Sequence, residues 1–456
     1  TRLTWCEASI DNIIIINSNY RKHPKEQLFY RGLIYILTSV GLGDQTVWGY
    51  PPPKKFAIFN SFIVKTFAPP CAVTQIVYLY VYRADLDFGL MGILLCMIPM
   101  TVLANVNIFS SKFASYKKLM KNFMNHIHLY NQFYKHKNDS KILVAERRTR
   151  YTAFYLISLY ALNWVAWIWI PVFNNIKNVE RIHNKTMKLQ TCIYMWMPFD
   201  YMYNYRNWVV THLVNIYVVF CGVTVLMMFH TVNYMFMYQL IGHIQVMKHK
   251  IRTEFRQGLS DSETREKLIE IIQYHDFILR VLRDVQSAFG FNITTSYLHN
   301  LAGDSLAMCQ IMYGEKENMP MYLLNVSVIM GGLVIMSFVL EDLRREAEDL
   351  PNIVYAIPWE HWSVTNQKYL ILILQRMQPT LAFKALGGFA AGVRPMISVS
   401  ITSMSTKKRT RSSNRRTAFV DGTRQRHASA ALQSTAVAGF FFFVFFFTLV
   451  EACRSR

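Results

Sequence analysis

The chain of 456 residues is 52% hydrophobic and 14% aromatic, and only 17% of its residues are charged, against about 25% in an average soluble domain. Its formal net charge of +21 would suit a nucleic-acid-binding protein, but the basic residues lie in the connections between apolar runs rather than on one soluble face. These properties exclude an ordinary soluble protein and favour a membrane domain with no nucleic-acid partner.

Six apolar stretches approach or exceed the roughly 20 residues that a helix needs to cross a bilayer. They cover residues 56–82, 88–109, 151–173, 208–234, 285–313 and 319–340. The fifth is the weakest because His299, Asn300 and Asp304 interrupt it, so we expect it to face protein or water. The sequence therefore predicts an all-α fold, a polytopic transmembrane helical bundle.

The orientation of this bundle follows from the Lys and Arg residues of its connections. Seven precede the first span, ten lie in the second connection and eight in the fourth, against one, five and one in the first, third and fifth. Because positive residues are retained on the cytoplasmic side, the N-terminus is predicted to be intracellular. Asn184, in a sequon with Thr186, is the predicted glycosylation site of the outer side. Sequons at Asn138, Asn292 and Asn325 fall inside or within spans, so a chance sequon is the alternative.

No pattern in the chain calls for catalysis. The seven cysteines show no CxxC spacing, and HExxH, GxSxG, P-loop and GxGxxG motifs are missing from the sequence. We therefore expect neither an enzyme nor a cofactor nor a metal site. The N-terminal residues show no apolar run with a small-residue cleavage site, so no removable signal peptide is expected.

A long cytoplasmic helix is predicted before the fifth span. Ser260 and Glu263 have the spacing of a capping box, and apolar residues recur at helical spacing from Leu268 to Leu282, with His275 on the same face as a packing residue. The segment HDFILRVLRDVQSAFGF within this helix resembles the corresponding region of lepidopteran-type insect odorant receptors.

The residues after the sixth span strengthen this resemblance. The segment EDLPNIVYAIPWEHWSVTNQKYLILILQRMQPTLAFKALGGF is similar to a cytoplasmic block of odorant receptors, in which a Leu-Pro, a Tyr and a Trp precede a short helix that ends in Arg-x-Gln-x-Pro. In this chain Pro379 follows Gln378 directly, a small departure. The block contains Leu350, Pro351, Tyr355, Trp359, Arg376, Gln378 and Pro379.

The resemblance implies a seven-span receptor of the plasma membrane of olfactory sensory neurons. It implies an odour-tuning subunit that binds a volatile odorant, assembles with the odorant co-receptor within membrane lipid, and gates a cation channel in the sensory perception of smell. The volatile would lie in the outer half of spans two to six. By orientation, the candidate ligand-binding residues are Met91, Leu95, Trp164, Trp167, His212, Ile216, Phe220, Ser305, Cys309, Tyr322 and Met330.

The C-terminal part departs from the family, so residues 1–390 are predicted as the receptor domain and 391–456 as an atypical tail. The expected seventh span is not recognisable after Gly388. A basic, Ser-rich segment follows, typical of disorder, and then about 13 apolar residues, 438–450, that include a poly-Phe run. We interpret the tail as translated unspliced sequence; a degenerate, Phe-rich seventh span is the alternative.

Several rival functions share parts of this pattern. A gustatory receptor of the same superfamily would also have an intracellular N-terminus. Its late Thr-Tyr-rich motif is missing from the sequence, but so is the corresponding odorant-receptor motif. A non-functional, mis-spliced product is the second alternative. A G-protein-coupled receptor would need an extracellular N-terminus, and a secondary transporter would need matching interrupted spans in two halves.

Overall fold

The computed structural model describes residues 22–86, 88–131, 139–255, 259–313, 319–378 and 383–384. Every secondary-structure element longer than one residue in these ranges is a helix. The α-helices are α1 (Leu28–Ser39), α2 (Lys55–Tyr82), α3 (Phe88–Ser110), α4 (Ala114–Asn122), α5 (Asp139–Lys177), α6 (Val179–His183), α7 (Tyr205–Glu254), α8 (Asp261–Tyr313), α9 (Met319–Glu348), α10 (Leu350–Tyr355) and α11 (Val364–Met377).

Within the described ranges, five helical segments are long and apolar enough to cross a membrane. They are Lys55–Tyr82, Gly89–Ser110, Val144–Lys177, Tyr205–Glu254 and Met319–Tyr355. They contain five of the six predicted spans, which confirms the all-α membrane bundle. The fifth predicted span forms the C-terminal part of α8, whose polar residues set it apart from the other five. It packs against α3, α7 and α9, as expected for a span that faces protein.

Helix α7 forms the centre of the bundle and packs against α3, α5, α8 and α9. Its residues are buried almost without interruption from Thr231 to Ile244. A helix that is apolar around most of its circumference belongs in a core rather than on a surface. The Tyr234 hydroxyl satisfies its hydrogen-bonding capacity by donating to the carbonyl oxygen of Gly332 on α9, at 2.8 Å.

The two ends of the bundle differ in character. At one end lie the strongly basic second and fourth connections, and we call this the basic end. At the other end Lys188 Nζ, in the third connection, donates to the Asp85 carbonyl oxygen in the first, at 3.1 Å. Residues 188–204 of the third connection fold over this end and are called the cap. The alternation of basic and less basic connections therefore separates the two ends as the charge count predicted.

The predicted cytoplasmic helix is present as the first part of α8. The Ser260 backbone N–H donates to Glu263 Oε2 at 2.9 Å, and the Glu263 N–H donates to Ser260 Oγ at 3.3 Å, which confirms the capping box. The helix then runs without a break to Tyr313. Helix α11 contacts the first turn of α8, where Asn366 Nδ2 donates to the Asp261 carbonyl oxygen at 3.0 Å.

The predicted tail and seventh span, residues 391–456, lie outside the described residues. So do Pro379 and the segment that links it to Phe383. The boundary at residue 390 therefore stays a prediction.

Candidate functional site

A mostly apolar cavity of about 110 Å³ lies between α2, α3, α5, α7 and α9, near the cap. Helix α3 contributes Met97, Met100 and Thr101, and the cap contributes Ile193. On α7 the wall includes Gly222, where an added Cβ would meet nothing within 4 Å. The cavity is thus bounded by four helices of the core bundle together with α2.

Three polar side chains stand in this apolar wall without a hydrogen-bond partner among the described residues. The atoms are Oδ1 of Asn163 and Nε1 of Trp167, both on α5, and Oδ1 of Asn325 on α9. The three residues are 3%, 1% and 1% exposed. Burying such groups unpaired costs free energy, and a few polar groups in an apolar wall are typical of a small-molecule site.

The cap closes the bundle above the cavity through hydrogen bonds to the helix ends. Asn215 on α7 donates its Nδ2 to the carbonyl oxygen of Ile193 at 2.7 Å, and Trp208 Nε1 donates to the carbonyl oxygen of Gln190 at 2.8 Å. The Trp196 N–H donates to the Thr74 carbonyl oxygen on α2 at 3.0 Å. These bonds fix Ile193 in the cavity wall.

Buried cysteines near the cap are not reactive nucleophiles. Burial raises the pKa of the Cys192 thiol to about 12, so the group stays protonated at neutral pH and packs as a small apolar residue. Cys71, Cys96, Cys192 and Cys221 form no disulfide bond in the described part of the chain. There the structure holds no group of three His, Cys, Asp or Glu side chains arranged for a metal ion.

Comparison with known proteins gives independent evidence on the family of this chain. The family model described as "7tm Odorant receptor" matches residues 93–404, more than half of the chain. The chain belongs to the 7tm odorant receptor family. No curated protein matches it significantly.

Solved structures agree with this family assignment. The receptor is similar to the insect olfactory receptor OR5 from Machilis hrabei, with a TM-score of 0.63 and 14% sequence identity over 83% of this chain and 96% of that one. The same protein in complex with eugenol gives a TM-score of 0.66 and 16% identity over 85% of this chain and 98% of that one. At such identities the likeness concerns the fold.

Of the residues predicted to bind the odorant, Trp167 lines the cavity of this receptor. Leu95 and Tyr322 are buried in one cluster with Trp167, and Met91 packs against that cluster. The hydroxyl of Tyr322 donates to the Gly89 carbonyl oxygen at 3.3 Å. Four of the eleven predicted residues therefore lie together around Trp167.

Other predicted residues lie away from the cavity wall. Trp164 and Phe220 pack edge to face, with ring centroids 5.4 Å apart, and Phe220 is half exposed on the outer side of α7. His212 is buried between Trp208, on which it stacks, and Thr191, whose Oγ1 lies 3.1 Å from His212 Nδ1.

The remaining predicted residues complete this comparison. Ile216, Ser305 and Met330 are half-buried in their helices and do not line the cavity. The side chain of Cys309 lies outside the described ones. Asn184 is exposed in the turn after α6, where glycosylation would be sterically possible.

Sequence reasoning missed Asn163 and Asn325 as candidate site residues, although both are polar side chains inside apolar spans. Such residues are costly within a membrane and mark a functional site by default. That signal would have found two of the three residues that present unpaired polar atoms in the cavity wall.

Proposed function

We propose that this receptor binds a small volatile molecule in the apolar cavity and gates a cation channel assembled with the odorant co-receptor. Two findings support this proposal. The similar receptor OR5 from Machilis hrabei has been solved in complex with eugenol, and this chain belongs to the 7tm odorant receptor family. The observation that carries it is an apolar cavity whose wall holds three unpaired polar atoms.

The physical basis of binding is the transfer of an apolar molecule from water. Burial of apolar surface contributes about 25 cal/mol per Å², so even a volatile without polar groups would gain free energy in this cavity. Asn163, Trp167 and Asn325 would orient a ligand that carries a polar group, because each would offer it a hydrogen bond that the described protein atoms leave unmade.

The course of the helices that line the cavity supports the proposal that ligand binding is coupled to channel gating. Helix α7 lines the cavity at Gly222 and continues to the basic end, where Lys248 forms ion pairs with α9. A ligand that alters the packing of α7 against α9 near the cap would thus act on helices that remain linked at the basic end. The proposed location is the plasma membrane of olfactory sensory neurons, across which the channel would conduct cations.

A filled cavity tests this proposal. Gly222→Leu places a side chain where the cavity offers space, so ligand affinity should fall about tenfold or more because the apolar ligand and the new side chain compete for one volume. The matched control is Gly32→Leu, on the exposed side of α1, where an added Cβ also meets nothing within 4 Å.

Affinity is measured on the purified full chain in lipid nanodiscs, from the quenching of tryptophan fluorescence by a panel of volatiles. Wild type and Gly32→Leu should bind the same volatiles with the same affinities. Unchanged affinities in folded Gly222→Leu would show that the ligand lies elsewhere and would overturn the assignment of this cavity.

A further inference from the structure

A second, smaller cavity of about 40 Å³ lies deeper in the bundle, between α3, α5, α7, α8 and α9. It shares Met100 and Leu226 with the apolar cavity, so these two side chains stand at the boundary between the two. Its wall is far more polar than that of its neighbour. The polar side chains are those of Tyr160, His230, Asn233, Ser296, Tyr297, His299 and Asn300.

Two of these side chains are buried and present atoms without a hydrogen-bond partner among the described residues. Asn233 on α7 is 2% exposed and its Oδ1 is unpaired, and His299 on α8 is 7% exposed and its Nε2 is unpaired. Both line the small cavity. Two unpaired polar atoms in a bundle core cost free energy. A molecule that forms hydrogen bonds to them would therefore bind more tightly.

The hydrogen-bonding character of these two atoms follows from their neighbours. His299 Nδ1 lies 3.4 Å from Oδ1 of Asn300. In the tautomer of neutral His299 that donates its Nδ1 proton to this oxygen, Nε2 is an acceptor. Oδ1 of Asn233 is also an acceptor. A ligand group that forms hydrogen bonds to these two atoms is therefore a donor.

We propose that the small cavity is the subsite for the hydroxyl group of an alcohol whose hydrocarbon part lies in the apolar cavity. This inference rests on the proposed function of the apolar cavity and adds the chemical class of the ligand. A cavity needs about 10–15 Å³ to hold one water molecule, so 40 Å³ accommodates a hydroxyl group. Met100 and Leu226 would contact the carbon chain where it passes from one cavity to the other.

Other oxygenated volatiles complement the site less well. An aldehyde or an ester offers acceptors alone, and these cannot form a hydrogen bond to Asn233 Oδ1 or to an acceptor Nε2 of His299. An alkane offers neither. The subsite therefore predicts a preference for an alcohol over the aldehyde and the alkane with the same number of carbon atoms.

The test compares octanol, octanal and octane, and decanol, decanal and decane, on the purified full chain in lipid nanodiscs. Affinity is measured from ligand-dependent thermal stabilisation. Each alcohol should bind wild type about tenfold more tightly than the matching aldehyde. Asn233→Leu and His299→Leu should each weaken alcohol binding about threefold to tenfold and leave alkane binding unchanged.

The matched control is Asn292→Leu. Asn292 is also a buried asparagine with an unpaired Oδ1, but it bonds to Asn107 and lines neither cavity. This variant should keep the alcohol preference. Partition of the probes into lipid is common to all variants, so differences between variants report on the protein.

The outcomes separate the two proposals. Equal affinities for alcohol, aldehyde and alkane in wild type, or an alcohol preference that persists in both folded variants, would overturn the hydroxyl subsite and leave the apolar cavity in place. Failure of all six probes to bind would overturn the proposed function and this inference with it. The wild-type series decides the matter even where a variant does not fold.

Discussion

Glu146 is a buried carboxylate on which side chains of three other parts of the fold converge. Its Oε1 accepts hydrogen bonds from the Tyr30 hydroxyl at 2.7 Å and Gln239 Nε2 at 3.0 Å, and lies 2.9 Å from His128 Nε2. These residues belong to α1, α7 and the segment after α4. Because one carboxylate joins all of them, it holds the N-terminal helix against the bundle at the basic end.

Glu146→Ala should therefore lower the free energy of unfolding by about 3–5 kcal/mol, because it leaves three buried polar groups without their common partner. The measurement is thermal unfolding of the purified chain in detergent. Glu146→Gln, which keeps an acceptor oxygen of the same shape, should lose less. Replacement of the exposed Glu360 by alanine serves as the control, and equal unfolding temperatures for all three variants would contradict this role.

The lowered pKa of His275 predicts that the free energy of unfolding depends on pH. His275 is 5% exposed on α8, and burial, with a smaller contribution from the Arg376 charge, lowers its pKa from 6.5. Above pH 6.5 the residue is neutral in the folded and unfolded chains. Below this pH, His275 is protonated more readily in the unfolded chain than in the folded chain. The free energy of unfolding therefore falls as the pH falls.

Thermal unfolding measured above and below pH 6.5 tests this sign. Wild type should lose stability on the acidic side, and His275→Gln and His275→Leu should both lose less, since neither side chain titrates in this range. The two variants differ in packing, so a shared change in pH dependence reports titration. A wild-type slope retained in both would assign the acid sensitivity to another group.

At the scale of elements, the sequence predicted the positions of the spans better than the lengths of the helices. The third span was predicted as residues 151–173, whereas α5 begins at Asp139 and continues past Pro171 to Lys177. The charged residues before Tyr151 indicated a loop, but Glu, Arg and Lys are good helix formers, and Glu146 is buried by contacts distant in sequence. Hydropathy detects the part of a helix in lipid and misses its continuation outside.

The same reason explains α7, predicted as the span 208–234 and found as Tyr205–Glu254. Beyond the span, Lys248 Nζ lies 2.7 Å from Glu346 Oε2 and 3.0 Å from Asp349 Oδ2, at the C-terminal end of α9. Its side chain is only 10% exposed. These ion pairs fasten the ends of the two helices that flank the proposed ligand.

Lys248→Met should loosen this junction, because two acidic side chains would face each other without their cation. Both are partly exposed, so we expect a loss of only about 1–2 kcal/mol of local stability. Hydrogen exchange of the last turns of α9 should accelerate about fivefold or more. Arg345→Met, which removes an exposed ion pair with Asp342, should change the exchange of these same turns much less. Equal acceleration in both variants would contradict the argument.

At the scale of the whole molecule, the sequence predicted the class of fold and the family. Of the predicted ligand-binding residues whose side chains the structure describes, Trp167 alone lines the candidate cavity. Composition, six apolar stretches and charge alternation are properties of single segments. A cavity depends on how each helix is rotated about its axis, and one sequence does not determine that rotation. Trp167 faces the cavity, whereas Phe220 faces outward, although both are aromatic residues of predicted spans.

The last prediction concerns the activity of the chain as a channel. The family implies a seventh helix that lines the ion pore after Gly388, and residues 391–456 offer a short polar stretch, a basic segment and the Phe-rich run at 438–450. The matched residues of the family model run past residue 390 and end at 404, before that run. Our proposal that the tail is translated unspliced sequence therefore concerns the segment in which a pore-lining seventh helix would be expected.

Co-expressed with the odorant co-receptor, the chain should give no odour-evoked current, because a ligand in the cavity would have no pore helix on which to act. If the 438–450 run does not insert, the basic tail stays in the cytoplasm, where the positive-inside preference would hold it. Whole-cell recording compares this chain with a chimera in which a family-typical seventh span replaces the residues after Gly388. The chimera should respond to volatiles at equal surface expression. A robust odour-gated cation current from the unmodified chain would identify the tail as a working pore helix and overturn the proposal.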